Sequence, residues 1–294
     1  GIHLTNSASI EIVNNNITTT FFYSPGIYLS NTFNSRILNN TIATGIEIGY
    51  GPAAHGIELD NSPSNSLDSN VVRTSGEFAY GIYITASDNV TITNNNVSTF
   101  CCEVEIGIYL FSSHYSHIIN NSVITDGNGG SDGIRLLVSR FAEIKNNVIE
   151  THDGGYGISL FADNFDFGTL QNLNVITYSS DDYDAYALFV DGGNFIISDS
   201  TFNAAYELID VSLNGMINLT NVSFGEAIGT FNRHWYLDVL VKNASTNLQG
   251  ATIRVYDKNN RLLTSQFTDI YGRIPRQTIL SYMQINGGVT SFTP

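Results

Sequence analysis

The chain is 294 residues long, 42% hydrophobic and 13% charged, with a formal net charge of -15. That apolar content can build a sizeable core, and so much negative charge without a basic stripe argues against nucleic acid as a partner. No run of eighteen apolar residues exists to cross a bilayer as a helix. The opening GIHLTNSASIEIV lacks a leader pattern, so the chain is expected to be mature or cut from something longer.

From its first residue the chain repeats itself. GIHL at Gly1 returns as GIYL at Gly26, GIEL at Gly56, GIYI at Gly81, GIYL at Gly107, GIRL at Gly133 and GISL at Gly157, then in degenerate form as ALFV at Ala187. A second line keeps nearly the same step: IVNNNI from Ile12, ILNNTI from Ile37, LDSNVV from Leu67, ITNNNV from Ile92, IINNSV from Ile118, IKNNVI from Ile144, LQNLNV from Leu170, ISDSTF from Ile197 and LTNVSF from Leu219. The steps run from 22 to 30 residues, most of them 25 or 26. Two motifs sharing one period define one structural repeat.

Within each repeat apolar residues alternate over three to five positions, and Gly, Asn, Asp and Ser interrupt them before a helical period can develop. Short β-branched strands joined by polar turns at this period describe the coils of a parallel β-solenoid, each about 4.8 Å above the last. Asparagine at a turn tolerates left-handed backbone angles, and its amide can both donate to and accept from the same amide one coil away. The column Asn14, Asn39, Ser69, Asn94, Asn120, Asn146, Asn172, Asp199, Asn221 is therefore expected to form an internal polar ladder.

The GIxL and NNxI pattern resembles the right-handed parallel β-helix repeat proteins, a group that includes pectate-lyase-like enzymes, NosD-like periplasmic proteins and many archaeal surface proteins. The resemblance implies an all-β, right-handed, single-stranded parallel β-helix of about nine coils over residues 1–229. It implies an extracellular or cell-surface location and is nearly silent about function, because that fold carries lyases, hydrolases, adhesins and passive shells alike.

Near Phe231 the pattern changes. WYLDVLVKN, GATIRVYDKNNRLLTSQFTD and YGRIPRQTILSYMQ read as longer strands with hairpin turns, DKNNR among them. Seven of the twelve Lys and Arg fall in this last fifth. The stretch resembles the small immunoglobulin-like or carboxypeptidase-regulatory-like β-sandwich modules that follow β-helices in archaeal surface proteins, giving a second domain over 230–294 that is short for a closed sandwich. An open sheet edge there, and the first coil at Gly1, invite strand pairing with a neighbour.

The outward position of each GIxL strand reads His3, Tyr28, Glu58, Tyr83, Tyr109, Arg135, Ser159, Phe189. Tyr28, Glu58, Tyr83, Tyr109 and Arg135 are the candidates for binding a polysaccharide, since tyrosines and an arginine on one face can stack against sugar rings. The same stack can equally stiffen a sheet. Acidic loops precede these strands. Asp132, Asp153, Asp181, Asp182 and Asp184 could ligate calcium, the one cofactor contemplated, or form a solvated rim.

The neighbours Cys101 and Cys102 have no metal-site spacing. They are read as reduced or loop-exposed thiols, or as a vicinal or intermolecular disulfide. Asn89, Asn218 and Asn243 are the sequons suited to a glycan. His114, His117 and His152 are scattered over turns. Clustered aspartates with a RIK motif, a P-loop, a Ser-His-Asp order and HExxH are all missing. The leading expectation is therefore a non-enzymatic structural protein that associates with itself into a surface layer, sheath or filament. The alternatives are a carbohydrate-binding or carbohydrate-cleaving β-helix and an adhesin stiffened by calcium.

Overall fold

The computed structural model describes the chain except residues 22, 46–53, 102–103, 128–129, 163–166, 179–185, 205–206, 212–215, 224–226, 229–230, 244, 257–259, 286–287 and 292–294. For 207–208, 227–228, 231–236, 278–285 and 288–291 only the backbone is described.

The described residues form strands and turns without a helix. Each repeat contributes three short strands, and every strand pairs in parallel with its equivalent one coil away, so the chain winds into a β-solenoid with three sheets. The first sheet gathers the GIxL strands, such as Ile82–Thr85 and Ile108–Phe111. The second gathers the strands that lead into the asparagines, such as Thr91–Thr93 and His117–Ile119. The third gathers those that follow, such as Asn96–Cys101 and Ser122–Gly127. Register is exact from coil to coil: Ile82 pairs with Ile108 and Ile134 follows, while Ile92 pairs with Ile118 and Ile144 follows.

The alternation of side chains along a strand turns this register into columns. Ile37, Leu67, Ile92, Ile118, Ile144, Leu170, Ile197 and Leu219 stack through the interior and belong to one continuous core with Ile27, Leu29 and their equivalents. The glycine of GIxL sits where the chain turns from the third sheet into the first. A Cβ at Gly107 would lie 2.2 Å from Val123 Cγ1 and 2.7 Å from the carbonyl oxygen of Gly133. Gly26, Gly56, Gly81, Gly133 and Gly157 stand in the same confinement, so close approach and not backbone freedom selects the residue.

One expectation is revised. The solenoid completes about seven turns, not nine. Leu219 of the last asparagine line does lie in a strand, Met216–Thr220, but the third strand of that coil shrinks to a bridge between Thr201 and Ser223. Beyond the expected boundary at residue 230, strands add to the second sheet. Phe231–Leu237 joins Met216–Thr220 in parallel, then pairs antiparallel with Gln277–Ile285, which turns back into Gly288–Ser291. Two further antiparallel ribbons complete this end, Lys242–Asn243 with Thr246–Asn247 and Thr252–Tyr256 with Leu262–Phe267, the latter flanking the DKNNR turn. The expected sandwich is thus represented by small antiparallel sheets, the largest of them fused to the solenoid.

Candidate functional site

The asparagine column expected inside the rod lies at its corner. Asn14, Asn39, Asn94, Asn120, Asn146, Asn172 and Asn221, with Ser69 and Asp199, all have φ between 52° and 58° and turn the chain through the left-handed region. Their side chains face outward, with a partial outer ladder from Asn172 through Asn146 to Asn120. The buried ladder is the next residue along: Asn40, Asn70, Asn95, Asn121 and Asn147 are nearly inaccessible. Asn121 Nδ2 donates to Asn147 Oδ1 at 3.0 Å and to the carbonyl of Ile92, while its Oδ1 accepts from both Nδ2 and backbone N–H of Asn95. The reason is geometric. The left-handed residue reverses the chain and swings the following side chain inward, where an amide can satisfy both donors and acceptors of the corner's backbone. A serine ladder not anticipated from the sequence does the same at the corner after the GIxL strand, through Thr32, Ser62, Ser87, Ser113 and Ser139. Its signal was the serine three positions after the last residue of each motif.

The five sugar-binding candidates share one column of the first sheet, Tyr28 paired with Glu58, Glu58 with Tyr83, Tyr83 with Tyr109 and Tyr109 with Arg135. Tyr83 and Tyr109 stack at 5.3 Å between ring centroids, and Tyr80 meets both edge-on. Covering by neighbouring coils pushes the Tyr109 hydroxyl up to about 12. The Arg135 guanidinium lies over Tyr109 at 5.9 Å and over Phe161 at 5.8 Å. Its Nε donates to Asp132 at 2.6 Å. Asp132 is fully buried and also accepts from the Ser159 hydroxyl and the Tyr156 backbone N–H. Burial pushes its carboxyl up against the opposing pull of Arg135. Asp132, a calcium or solvated-rim candidate by sequence, thus anchors the wall of the rod, its oxygens bonded to Arg135, Tyr156 and Ser159.

Glu58 lies one coil before Tyr83 in the same column. Burial first, and Asp60 two residues along the strand second, raise its carboxyl to about 6. It borders a groove of about 400 Å³ shared with His3, Tyr23 and Tyr28. His55 stacks on Tyr80 at 4.8 Å and accepts that residue's backbone N–H on Nδ1, and burial lowers its pKa to about 4. Glu58 and Asp132 stand three coils apart, on the order of 14 Å at one strand spacing per coil, beyond the separation at which two carboxylates flank a glycosidic bond.

Of the remaining candidates, Asp153 is half-buried at a left-handed turn with φ 56°. Asp181, Asp182 and Asp184 lie outside the described residues. Among the described residues no three His, Cys, Asp or Glu side chains converge. Cys101 is disulfide-bonded and has φ 144°, and Cys102 lies outside the described residues. Asn89 is exposed at a left-handed turn, Asn243 is exposed in a ribbon, and Asn218 is half-buried.

Sequence reasoning also missed an aromatic ridge on the second sheet. Ser9, Asn34, Ser64 and Asn89 occupy a left-handed corner in the first four coils, but Tyr115 and Phe141, both with φ 55°, occupy it in the next two. A bulky residue there costs about 1 kcal/mol that asparagine largely avoids. Nevertheless both rings stay half-exposed, stacked at 5.0 Å and 5°, with Phe167 continuing the stack at 6.2 Å.

Residues 1–172 match the family model described as NosD, periplasmic copper-binding protein. A search of curated proteins found no match. Among solved structures, the chain is similar to the Dettilon tailspike protein at a TM-score of 0.40 and 11% identity, over 77% of this chain and 55% of that one. The chain therefore spans about half the length of that protein. Copper requires converging imidazole, thiolate or thioether donors. Here His117 and His152 each lie against one carboxylate, Glu143 and Glu150, and His114 accepts a backbone N–H from Arg140 on Nδ1. The described residues do not fit a copper site.

Proposed function

The chain belongs to the NosD family, and from that premise we propose that it acts outside the cytoplasm as a structural β-helix, a rigid repeating part of a surface layer, sheath or filament that associates with its own kind. The observation that carries this reading is the commitment of side chains to the coil above and the coil below. Asparagine, serine, aliphatic and aromatic columns run along the rod, and even the arginine of the first sheet is clamped between two rings and a buried carboxylate. Such a wall resists bending and local opening. It offers no converging acid, base and nucleophile among the described residues. Neutral pairing surfaces and strand edges are what remain for partners. Negative-stain electron microscopy of the purified chain, with and without a chelator, tests the proposal. Ordered tubes, sheets or fibres are expected, and dispersed single particles under every condition would refute it.

A second reading, carbohydrate binding or cleavage, is favoured by one observation. Glu58 holds its proton up to about pH 6 beside Asp60 and next to a groove, an arrangement suited to a general acid. Tyr83→Ala with Tyr109→Ala should then abolish signal on a glycan array while the melting temperature holds, and Glu58→Gln should abolish any release of reducing sugar while binding remains. A blank array for the parent protein removes this reading.

A further inference from the structure

A two-stranded ribbon near the C-terminal end and the face of the third sheet are opposite in charge, alike in apolar content and similar in length. We infer that the ribbon of one chain docks on the third sheet of a second copy. The contact rests on the structural reading above and specifies how the chain associates with its own kind.

The ribbon pairs Thr252–Tyr256 with Leu262–Phe267 and joins no other strand among the described residues. Two strands without a covered face are marginal in water. Residues opposite one another share a side, so Thr252, Arg254 and Tyr256 stand together with Phe267, Ser265 and Leu262. All six are exposed, Phe267 at 71%. This end of the chain is also basic. Seven of the twelve Lys and Arg lie beyond residue 230 against three of the twenty-seven Asp and Glu, whereas the rod carries the other five and twenty-four.

The third sheet presents the complement. One outward column runs from Phe100 through Asp126 and His152, with Tyr178 stacked on the imidazole at 4.9 Å. Beside it Glu150 stands between Ile124 and Ile176. Phe100 and Tyr178 are nearly half-exposed and Asp126 is exposed. Among the described strands of this sheet, no Lys or Arg follows Arg73. On the other two sheets a cation stands beside the acids, Arg36 bonded to Glu11 on the second and Arg135 to Asp132 on the first. Three coil steps separate Phe100 from Tyr178, about 14 Å, and five ribbon residues span about 17 Å.

Opposite charge at this one contact draws together chains that elsewhere repel at a net -15. Because the two surfaces differ, the contact is heterologous. Docking one ribbon leaves the ribbon of the second chain open, so association continues into a filament or lattice instead of closing as a pair.

Sedimentation velocity of the intact chain over a wide concentration range tests the contact. The parent should associate, and about tenfold more weakly in roughly 0.5 M salt than in roughly 0.05 M. Arg254→Glu and Asp126→Lys, both at exposed side chains, should each weaken self-association by about tenfold or more while the melting temperature holds. An equimolar mixture of these two variants should recover the parent's association, because every ribbon then meets a third sheet of opposite charge. A parent that associates regardless of salt, charge variants that associate as well as the parent, or a mixture that fails to recover would each overturn the inference and leave the structural function standing. A parent that neither associates nor assembles would overturn both.

Discussion

The middle coils of the solenoid and its C-terminal end are built from the same repeat and hold together by different means. From Asn40 to Asn147 an unbroken amide ladder fixes one corner, with a glycine at every turn into the first sheet. Beyond it Leu173, Ser200 and Val222 take the ladder position, Ala187 takes the place of glycine, and the sheet is closed by an antiparallel strand pair drawn from residues 231–285. Where the columns are unbroken, each coil depends on both neighbours. Where they break, cohesion passes to ordinary strand pairing and to burial of Phe195 and Phe202.

The sharpest way to probe this contrast is to place a charge in each region. Ile118→Asp puts a carboxylate at a site with no access to water and should cost more than about 4 kcal/mol, opening the rod in both directions. Leu219→Asp, equally buried, should loosen only the C-terminal strands. Limited proteolysis read by mass spectrometry distinguishes the two, with cleavage spread over many coils in the first and confined beyond about residue 200 in the second.

A smaller effect separates the ladders. Asn121→Ala orphans the amide of Asn95 above and the carbonyl groups of Ile92 and Ile119, a loss of about 2–4 kcal/mol. Ser200→Ala removes one bond from the Leu173 N–H and should cost about 1 kcal/mol. Chemical denaturation measures both, and equal costs would mean that the amide ladder adds nothing beyond isolated hydrogen bonds. Asn120→Ala, next to the ladder residue, loses a left-handed preference worth about 1 kcal/mol, and Asn120→Gly should be nearly neutral.

The smallest effects are in pH. Glu58 has a folded pKa of about 6 against 4.5 in the open chain, so its contribution is complete below pH 4.5 and lost as pH rises through 6. His55, lowered from 6.5 to about 4, has the opposite sense: its contribution is complete above 6.5 and lost as pH falls through 4. Melting curves should show Glu58→Gln gaining on the parent as pH rises from 4.5 to about 6 and levelling off above it, and His55→Gln gaining as pH falls from 6.5 to about 4.

Most of the fold was legible because a parallel solenoid writes its register directly into sequence spacing. Ile92 over Ile118 and Tyr83 over Tyr109 follow from counting residues. The identity of the buried asparagine did not follow, since Asn120 and Asn121 are chemically equal and only the backbone reversal at the first decides which points inward. The anchoring role of Asp132 was hidden for a related reason: its partners Arg135 and Ser159 meet it through the stacking of two coils. The Tyr115 to Phe167 ridge went unread because its residues fall just outside the quoted motifs. Fusion of the C-terminal strands to the second sheet left no periodic trace, because one added strand has no repeat.

If the rod's role is mechanical, its central coils must open as one unit. Native-state hydrogen exchange tests this most directly, by comparing the backbone amides of Asn70, Asn95 and Asn121, each bonded to a side-chain oxygen one coil away, with those of Ile217, Leu219 and Ser223. The account predicts that the first group exchanges last and at a common rate set by global opening, with the second exchanging earlier through local release. Independent rates for Asn70, Asn95 and Asn121, or earlier exchange there than at Leu219, would contradict it.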